Sequence, residues 1–202
     1  MRLGVFGGTF DPPHVGHLIV ADDAAAVLDL HQVLFVPAGT HPLKGRSVEA
    51  PASLRLEMIE AATEGSQLFA VDGRELRRPG PSYTVDTVAE LQAENPSAEL
   101  FLLVGADILG EIHRWHRVEE LVQRARLAVM SRAETAVAVE PAIALDFLTV
   151  EVTHVAISSS EIRERIRSGR PYRYLVPDPV RRIIDEHSLY SGPEIVSERI
   201  QG

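Results

Sequence analysis

The chain has 202 residues, of which 45% are hydrophobic and none is cysteine, so it can bury one sizeable core and has no disulfide or thiolate chemistry. Its 20 basic and 29 acidic residues give a formal net charge of −9, which argues against general nucleic-acid binding because that needs a broad basic surface. No run of about 18 apolar residues occurs, and the chain enters a strand without a basic, apolar leader, so we expect a cytoplasmic protein without a membrane span.

Strands and helices are predicted to alternate along the whole sequence. Short apolar runs predict strands at 2–6, 33–36, 68–71, 100–104, 127–130, 147–150 and 155–157. Stretches with helical patterning predict helices at 14–30, 52–64 (with Ser53 as a cap), 84–94, 118–125, 158–168 and 177–187. The run 100–104 is the most hydrophobic, so we expect it near the centre of the sheet.

This alternation predicts an α/β fold of the Rossmann-like, doubly wound class, a parallel sheet with helices on both faces. We expect a single domain over 1–190 with a small helical C-terminal end, followed by a polar tail at 191–202. Residues 133–145 have little pattern and are expected to form a surface excursion. Ligands of such sheets bind beyond the carboxyl ends of the strands. The loops that follow four strands are therefore predicted to form one cleft: 7–17, 37–44, 105–107 and 158–163.

The first of these loops, Gly7 to His17, contains the densest set of polar and special residues in the chain. It lies between a predicted strand and a predicted helix, where glycines allow close approach of the backbone and the helix start offers N–H groups to an anion. His14 and His17 are three residues apart and so share one face of that helix. Two other interpretations are an ordinary Gly-Gly turn and half of a metal site, although the latter needs a third ligand.

The sequence Gly8-Thr9-Phe10-Asp11-Pro12-Pro13-His14-Val15-Gly16-His17 resembles the HxGH signature of the nucleotidyltransferase superfamily, whose members join a nucleoside triphosphate to a phosphate-bearing acceptor. This resemblance implies that the loop binds ATP through Gly7, Gly8, Thr9, Phe10, His14 and His17.

A second motif, Ile157 to Arg163, places three hydroxyls and an arginine at a helix start. Such a start can bind phosphate oxygens, and it can equally be an ordinary serine cap. Together with the first loop it resembles the ISSTxIR motif of the same superfamily, with Ser160 in place of threonine. The resemblance implies that Ser158, Ser159 and Arg163 bind the β- and γ-phosphates of ATP.

The middle and the end of the chain resemble one family within that superfamily, the bacterial nicotinate mononucleotide adenylyltransferases. The matching segments are Ser82 to Thr87, Gly105-Ala106-Asp107, Trp115, Leu175-Val176-Pro177 and His187 to Tyr190. The resemblance implies that Tyr83, Thr84 and Trp115 hold the pyridine ring and its carboxylate. It also implies that Gly105 and Asp107 bind ATP, with Asp107 placing the Mg²⁺ or binding the ribose. The alternative for Trp115 is a core position, which the flanking charged residues and histidines make a poor fit.

One loop departs from the family pattern. Where the family usually has Pro-Pro-His-Lys, this chain reads Thr40-His41-Pro42-Leu43-Lys44. Thr40 and Lys44 are carried over as contacts to the mononucleotide and its phosphate, and the role of His41 stays open.

The implied reaction is attack of the mononucleotide phosphate on the α-phosphate of ATP, which gives deamido-NAD and pyrophosphate. No protein nucleophile is needed, so catalysis by His14, His17 and Lys44 would consist of alignment and charge stabilisation. Mg²⁺ would arrive on the ATP phosphates, without a metal site made by the protein alone. The expected partners are ATP and nicotinate mononucleotide, with no nucleic acid or membrane; a homo-oligomer is left open.

Three other functions share parts of this pattern. Another transferase of the superfamily, acting on phosphopantetheine or nicotinamide mononucleotide, is opposed by the Ser82 to Thr84 segment and Trp115. A non-catalytic nucleotide sensor is opposed by the intact polar residues of the motifs. A class I tRNA synthetase fragment is opposed by the acidic charge and the short length.

Overall fold

The computed structural model describes residues 1–39, 48–131 and 145–192. The strands are β1 (Arg2–Gly8), β2 (Gln32–Pro37), β3 (Phe69–Val71), β4 (Glu99–Gly105), β5 (Arg126–Ser131) and β6 (Phe147–Glu151). The α-helices are α1 (Val15–Leu28), α2 (Ala52–Thr63), α3 (Arg74–Arg77), α4 (Thr84–Glu94), α5 (Val118–Arg124), α6 (Ser159–Arg167) and α7 (Asp178–Glu186). Two 3₁₀ helices, Ala106–Gly110 and Ile112–Arg114, follow β4.

The six strands form one parallel sheet in the order β3-β2-β1-β4-β5-β6. The predicted doubly wound fold is therefore confirmed. The most hydrophobic strand, β4, lies beside β1 in the middle of the sheet, as expected. The order reverses between these two strands, so their carboxyl ends open a crevice where such folds bind ligands.

Helices cover both faces of the sheet because successive side chains of each strand point to opposite faces. Leu100, Leu102 and Val104 of β4 pack with α4 and α5. Phe101 and Leu103 of the same strand pack on the other face with α1 and α2. A strand buried on both sides in this way reads as a continuous apolar run.

A third hydrophobic cluster joins α2, α6 and α7 at the C-terminal end of the chain. Met58, Ile162, Val180 and Ile184 are fully buried in it, and Tyr190 closes it with 7% of its surface exposed. This is the predicted small helical end, and it connects the helix after β6 to the region beside the first loop.

Several sequence-based boundaries differ from the structure. Residues 155–157 were predicted as a strand, which is wrong: they form a loop beyond the edge strand β6. Their apolar character comes from packing, since Ile157 contacts the C-terminal cluster and Val155 lies against Gly16. Helix α2 begins at Ala52 with Pro51 at the cap position, so Ser53 is not its cap.

Helix α1 ends at Leu28, two residues earlier than expected, because Asp29 is left-handed with φ 50°. The short helix α3 and the two 3₁₀ helices were not predicted. The expected surface excursion falls almost entirely on residues outside the described part of the chain, and so does most of the polar tail. Of the described helices, none is long and apolar enough to cross a membrane.

Candidate active site

The loop between β1 and α1 is anchored by Phe10. Its backbone is left-handed with φ 49°, and its ring is 2% exposed, with centroids 5.6 Å from Phe35 and 5.1 Å from His17. Gly8 is needed beneath it, because an added Cβ would lie 2.8 Å from the ring. Burial of the ring offsets the unfavourable backbone and fixes the loop at the carboxyl end of β1.

His14 and His17 form a stacked pair at the start of α1. Their ring centroids are 3.7 Å apart with an interplanar angle of 26°. The Nδ1 atom of His17 accepts the backbone N–H of His14 at 3.1 Å, which leaves the proton of a neutral ring on Nε2.

Both histidines are held in the neutral form. Burial lowers the pKa of His14 to about 4. Burial, and then the neighbouring charge of His14, lower the pKa of His17 well below its ordinary value. At neutral pH the pair therefore offers N–H donors rather than fixed positive charges.

Gly16 gives the histidine pair its room. A Cβ at this position would lie 3.0 Å from Nδ1 of His14 and 3.4 Å from Val155. The glycine between the two histidines of the motif therefore sets the position of the His14 ring.

The loop opens into a cleft of about 1010 Å³ at the carboxyl ends of the strands. The structure brings most of the sequence-predicted ATP residues to its lining: Gly8, Thr9, Phe10, His14, His17, Gly105, Asp107, Ser158, Ser159 and Arg163. Gly7 does not line it. Phe10 contributes backbone, since its side chain belongs to the core.

The serine motif forms the part of the cleft wall that lies against the first loop. The Ser158 hydroxyl accepts the N–H of Glu161 at 3.1 Å, so the capping alternative holds for this residue. The Ser159 hydroxyl donates to the carbonyl of Pro12 at 2.8 Å, which ties α6 to the first loop. Arg163 donates to the carbonyl of Asp11 at 2.8 Å and lies over the same loop.

Asp11 organises the back of the site, and sequence analysis missed this role. Its carboxylate, 2% exposed, accepts the backbone N–H groups of Glu49 and Ala50 and the hydroxyl of Tyr190, the last at 2.7 Å. Arg55 lies beside it and donates to the carbonyl of Thr9 at 2.7 Å. These bonds join the first loop to α2 and to the C-terminal end.

A second polar group that sequence analysis missed, the partly buried Glu75, lines the cleft near Gly39, which follows β2. An added Cβ on Gly39 would lie 2.3 Å from the carbonyl of Glu75, so the two backbones touch. The Glu75 carboxylate accepts the Thr87 hydroxyl at 2.7 Å. Burial raises its pKa, against the lowering effect of that hydrogen bond.

Among the predicted acceptor residues that the structure describes, Tyr83, Thr84 and Trp115 do not line the cleft. Ser82 donates to the carbonyl of Glu75 at 3.2 Å, and the next two residues, Tyr83 and Thr84, begin α4. The Tyr83 ring stacks on His116 with centroids 4.2 Å apart, which brings the Trp115 loop against α4. Trp115 is partly buried against the core.

Thr40, His41 and Lys44 lie outside the described residues. Within the described ranges, no three His, Asp or Glu side chains are grouped so that they could hold a metal ion. Asp107 is the exposed carboxylate that lines the cleft after β4.

The sequence is similar to known proteins of one enzyme family. Residues 5–165 match the cytidylyltransferase-like family. A probable nicotinate-nucleotide adenylyltransferase of Geobacillus thermodenitrificans is 39% identical over 201 residues, covering 98% of this chain and 89% of the relative. Another, of Gemmatimonas aurantiaca, is 44% identical and covers 94% of this chain and 92% of the relative. The chain belongs to the nicotinate-nucleotide adenylyltransferase family.

Solved structures show the same fold. A Plasmodium falciparum nicotinic acid mononucleotide adenylyltransferase complexed with APC has a TM-score of 0.74 at 17% identity, covering 94% of this chain and 96% of that one. The same enzyme complexed with NaAD has a TM-score of 0.73 at 18% identity, covering 94% and 97%. These likenesses show the fold, and the relatives above confirm the family membership that Ser82 to Thr87, Gly105 to Asp107 and Trp115 predicted.

Proposed function

We propose that the protein transfers the adenylyl group of ATP to nicotinate mononucleotide, giving deamido-NAD and pyrophosphate in NAD biosynthesis. The observation that carries this proposal is that the neutral His14–His17 pair, Arg163 and the start of α6 all line one cleft. The relatives that share about two fifths of the sequence bear the name of this activity.

The chemistry needs no nucleophile from the protein. A phosphate oxygen of the acceptor attacks the α-phosphorus of ATP, the bond to the bridging oxygen breaks, and pyrophosphate leaves with that electron pair. Charge spreads over the phosphoryl oxygens, where the Nε2–H of His17 and the ring of His14 donate hydrogen bonds. Neutral donors suit this role because they need not give up a strong ion pair when pyrophosphate departs.

The triphosphate would lie along the start of α6. The N–H groups of a helix start and its dipole favour anions. Ser158, Ser159 and the following Ser160 line this wall, and Arg163 can bind β- and γ-phosphate oxygens with its planar donors. Gly7, Gly8 and Thr9 would approach the nucleotide with their backbone.

The acceptor would lie toward α4. The first N–H groups of any helix lack partners within the helix, so Thr84 and its neighbours can bind the pyridine carboxylate. Tyr83 and Trp115 would flank the pyridine ring, since both belong to segments that meet at the Tyr83–His116 contact. Thr40 and Lys44 complete the proposal as contacts to the mononucleotide phosphate.

The nucleotide would arrive as its Mg²⁺ complex. Mg²⁺ commonly takes one or two carboxylates together with substrate phosphates. Asp107 fits this need, because it is exposed on the cleft, whereas both oxygens of Asp11 are already bonded to the protein. Gly105, beside Asp107, would lie near the ribose. The proposal involves small-molecule substrates in the cytoplasm, with neither nucleic acid nor membrane.

The proposal is tested by following the α-phosphate of ATP into the product. With nicotinate mononucleotide and ATP labelled at the α-phosphate, we expect the label in the dinucleotide, with one pyrophosphate formed per dinucleotide. A His17→Ala preparation, purified in parallel, reports contaminating activity. The proposal would be contradicted if no label reached the dinucleotide, or if label were transferred to a phosphopantetheine acceptor and not to nicotinate mononucleotide.

A further inference from the structure

Glu49 places a carboxylate in the proposed triphosphate wall, between two arginines of α6. Its Oε1 accepts a hydrogen bond from Nε of Arg163 at 2.8 Å, and its Oε2 accepts a hydrogen bond from the guanidinium of Arg167. Glu49 and Arg163 both line the cleft, with side chains that are 29% and 17% exposed. The arginine assigned to phosphate thus already holds an anion supplied by the protein.

The position of this carboxylate is built into the loop rather than left to a free surface side chain. The backbone N–H of Glu49 donates to Asp11 at 2.8 Å, and that of Ala50 donates to the same carboxylate at 3.1 Å. Arg163 is fixed from the other side by its bond to the carbonyl of Asp11. Both members of the ion pair are therefore held by one residue of the first loop.

Glu49 is ionised at neutral pH. Partial burial opposes its ionisation, but hydrogen bonds from Arg167 and Arg163 outweigh burial and lower its pKa. A carboxylate and a phosphate engage a guanidinium through the same planar donors. The Glu49 carboxylate therefore occupies the Nε donor of Arg163, which a phosphate would otherwise use.

We propose that Glu49 is an internal competitor of the triphosphate for Arg163, and that it sets the affinity of the cleft for ATP and for pyrophosphate. This inference rests on the proposed function. When the triphosphate binds, Arg163 exchanges the carboxylate for phosphate oxygens, while Glu49 keeps its bond to Arg167. When pyrophosphate leaves, the carboxylate returns to Arg163 and the arginine is never left unpaired.

Arg167 makes this exchange feasible. It lies one helical turn after Arg163 and reaches the other oxygen of the same carboxylate. A carboxylate without a cationic partner would be repelled by a nearby triphosphate. A carboxylate that keeps a guanidinium partner has most of its charge neutralised. The two arginines therefore have separate tasks, one to meet phosphate and one to retain Glu49.

Replacing Glu49 with Gln removes the competing charge at constant size. We expect the KM for ATP and the inhibition constant of pyrophosphate to fall together, by about two- to fivefold, the range typical of partly exposed ion pairs. The KM for nicotinate mononucleotide should stay the same, because the acceptor lies toward α4.

Glu164→Gln is the matched control. Glu164 lies on α6, with its carboxylate 3.6 Å from the guanidinium of Arg167, but it does not line the cleft. The Glu164→Gln substitution therefore removes the same charge from outside the cleft. We expect it to leave both constants within experimental error of wild type, which separates a local competition from a general change in net charge.

The experiment measures pyrophosphate binding by calorimetry, together with ATP kinetics, for wild type, Glu49→Gln, Glu164→Gln and Arg163→Ala. Tighter pyrophosphate binding in Glu49→Gln and weaker binding in Arg163→Ala support the proposal. If Arg163→Ala weakens binding while Glu49→Gln leaves it unchanged or weaker, the Glu49 inference fails alone. If Arg163→Ala leaves binding unchanged, the triphosphate assignment itself is wrong.

Discussion

The ring of His17 is stacked on that of His14 and accepts the backbone N–H of His14, so the two histidines of the first loop form one unit. The hydrogen bond at Nδ1 puts the proton of His17 on Nε2, and burial keeps the pair neutral. In the proposed reaction, such a pair would supply hydrogen-bond donors to developing phosphoryl charge without binding the product as a cation would.

Replacing His17 with Ala should lower kcat by about 10²–10³-fold while changing the KM for nicotinate mononucleotide little, because the donor acts mainly in the transition state. His17 also packs against Phe10, so the denaturation midpoint is measured alongside steady-state kinetics. The exposed His113 supplies a control, since His113→Ala should retain wild-type kcat. A His17→Ala enzyme with near-normal kcat would remove this residue from catalysis.

The low pKa of His14 predicts a specific loss of stability in acid. The ordinary pKa of 6.5 falls to about 4 in the folded protein, so between these values the unfolded chain binds a proton that the folded chain does not. Stability therefore decreases as the pH falls through this window, by about 3 kcal/mol from this group, and its contribution is constant above pH 6.5.

Urea unfolding of wild type and His14→Asn from pH 7.5 to 4.5 tests this. The variant should lose less free energy of unfolding than wild type as the pH falls. Exposed His113→Asn should follow wild type. Parallel curves for wild type and His14→Asn would mean that His14 is not held neutral by burial.

Gly16→Ala should reduce kcat without destabilising the protein. The new Cβ would press on the His14 ring at 3.0 Å, while alanine in the first turn of α1 favours the helix. Kinetics and thermal unfolding together check this prediction. If activity is retained in full, the ring has room to move and its position is not critical.

Tyr190→Phe should destabilise the protein by about 1 to 3 kcal/mol, since it removes a hydrogen bond to the buried carboxylate of Asp11. Tyr174→Phe removes the same hydroxyl from a side chain that is 85% exposed and should cost almost nothing. Equal denaturation midpoints for the two variants would show that the C-terminal end does not support the first loop.

The fold was predictable because its signals are local. Each strand of the sheet is an apolar run, and most of these runs are followed by a helical pattern before the next strand. The order of these elements and the side of the cleft therefore followed from sequence. Residues 155–157 were wrongly predicted as a strand because a three-residue apolar run fits a packed loop as well as a strand. The structure distinguishes the two, since β6 is the edge strand and this segment lies beyond it.

The same reasoning explains what could be predicted of the site. His14, His17, Ser158 and Arg163 belong to short motifs whose chemistry is contained within a few residues. The bond from Tyr190 to Asp11 joins residues 179 positions apart, and that from Arg163 to Glu49 spans 114. A single sequence has no signal for such pairs, so the supports of the first loop and the internal anion required the structure.

The most direct test of the proposed function is the ratio of kcat/KM for nicotinate mononucleotide to that for its amide, measured with wild-type protein at saturating ATP. A carboxylate is an acceptor only and suits N–H and hydroxyl donors at the start of α4, whereas the amide would turn its NH₂ toward a donor. A buried mismatch costs about 1–3 kcal/mol, so we predict at least a tenfold preference for the acid. Equal use of the two acceptors would contradict the assignment of Tyr83, Thr84 and Trp115, and turnover of neither would contradict the function itself.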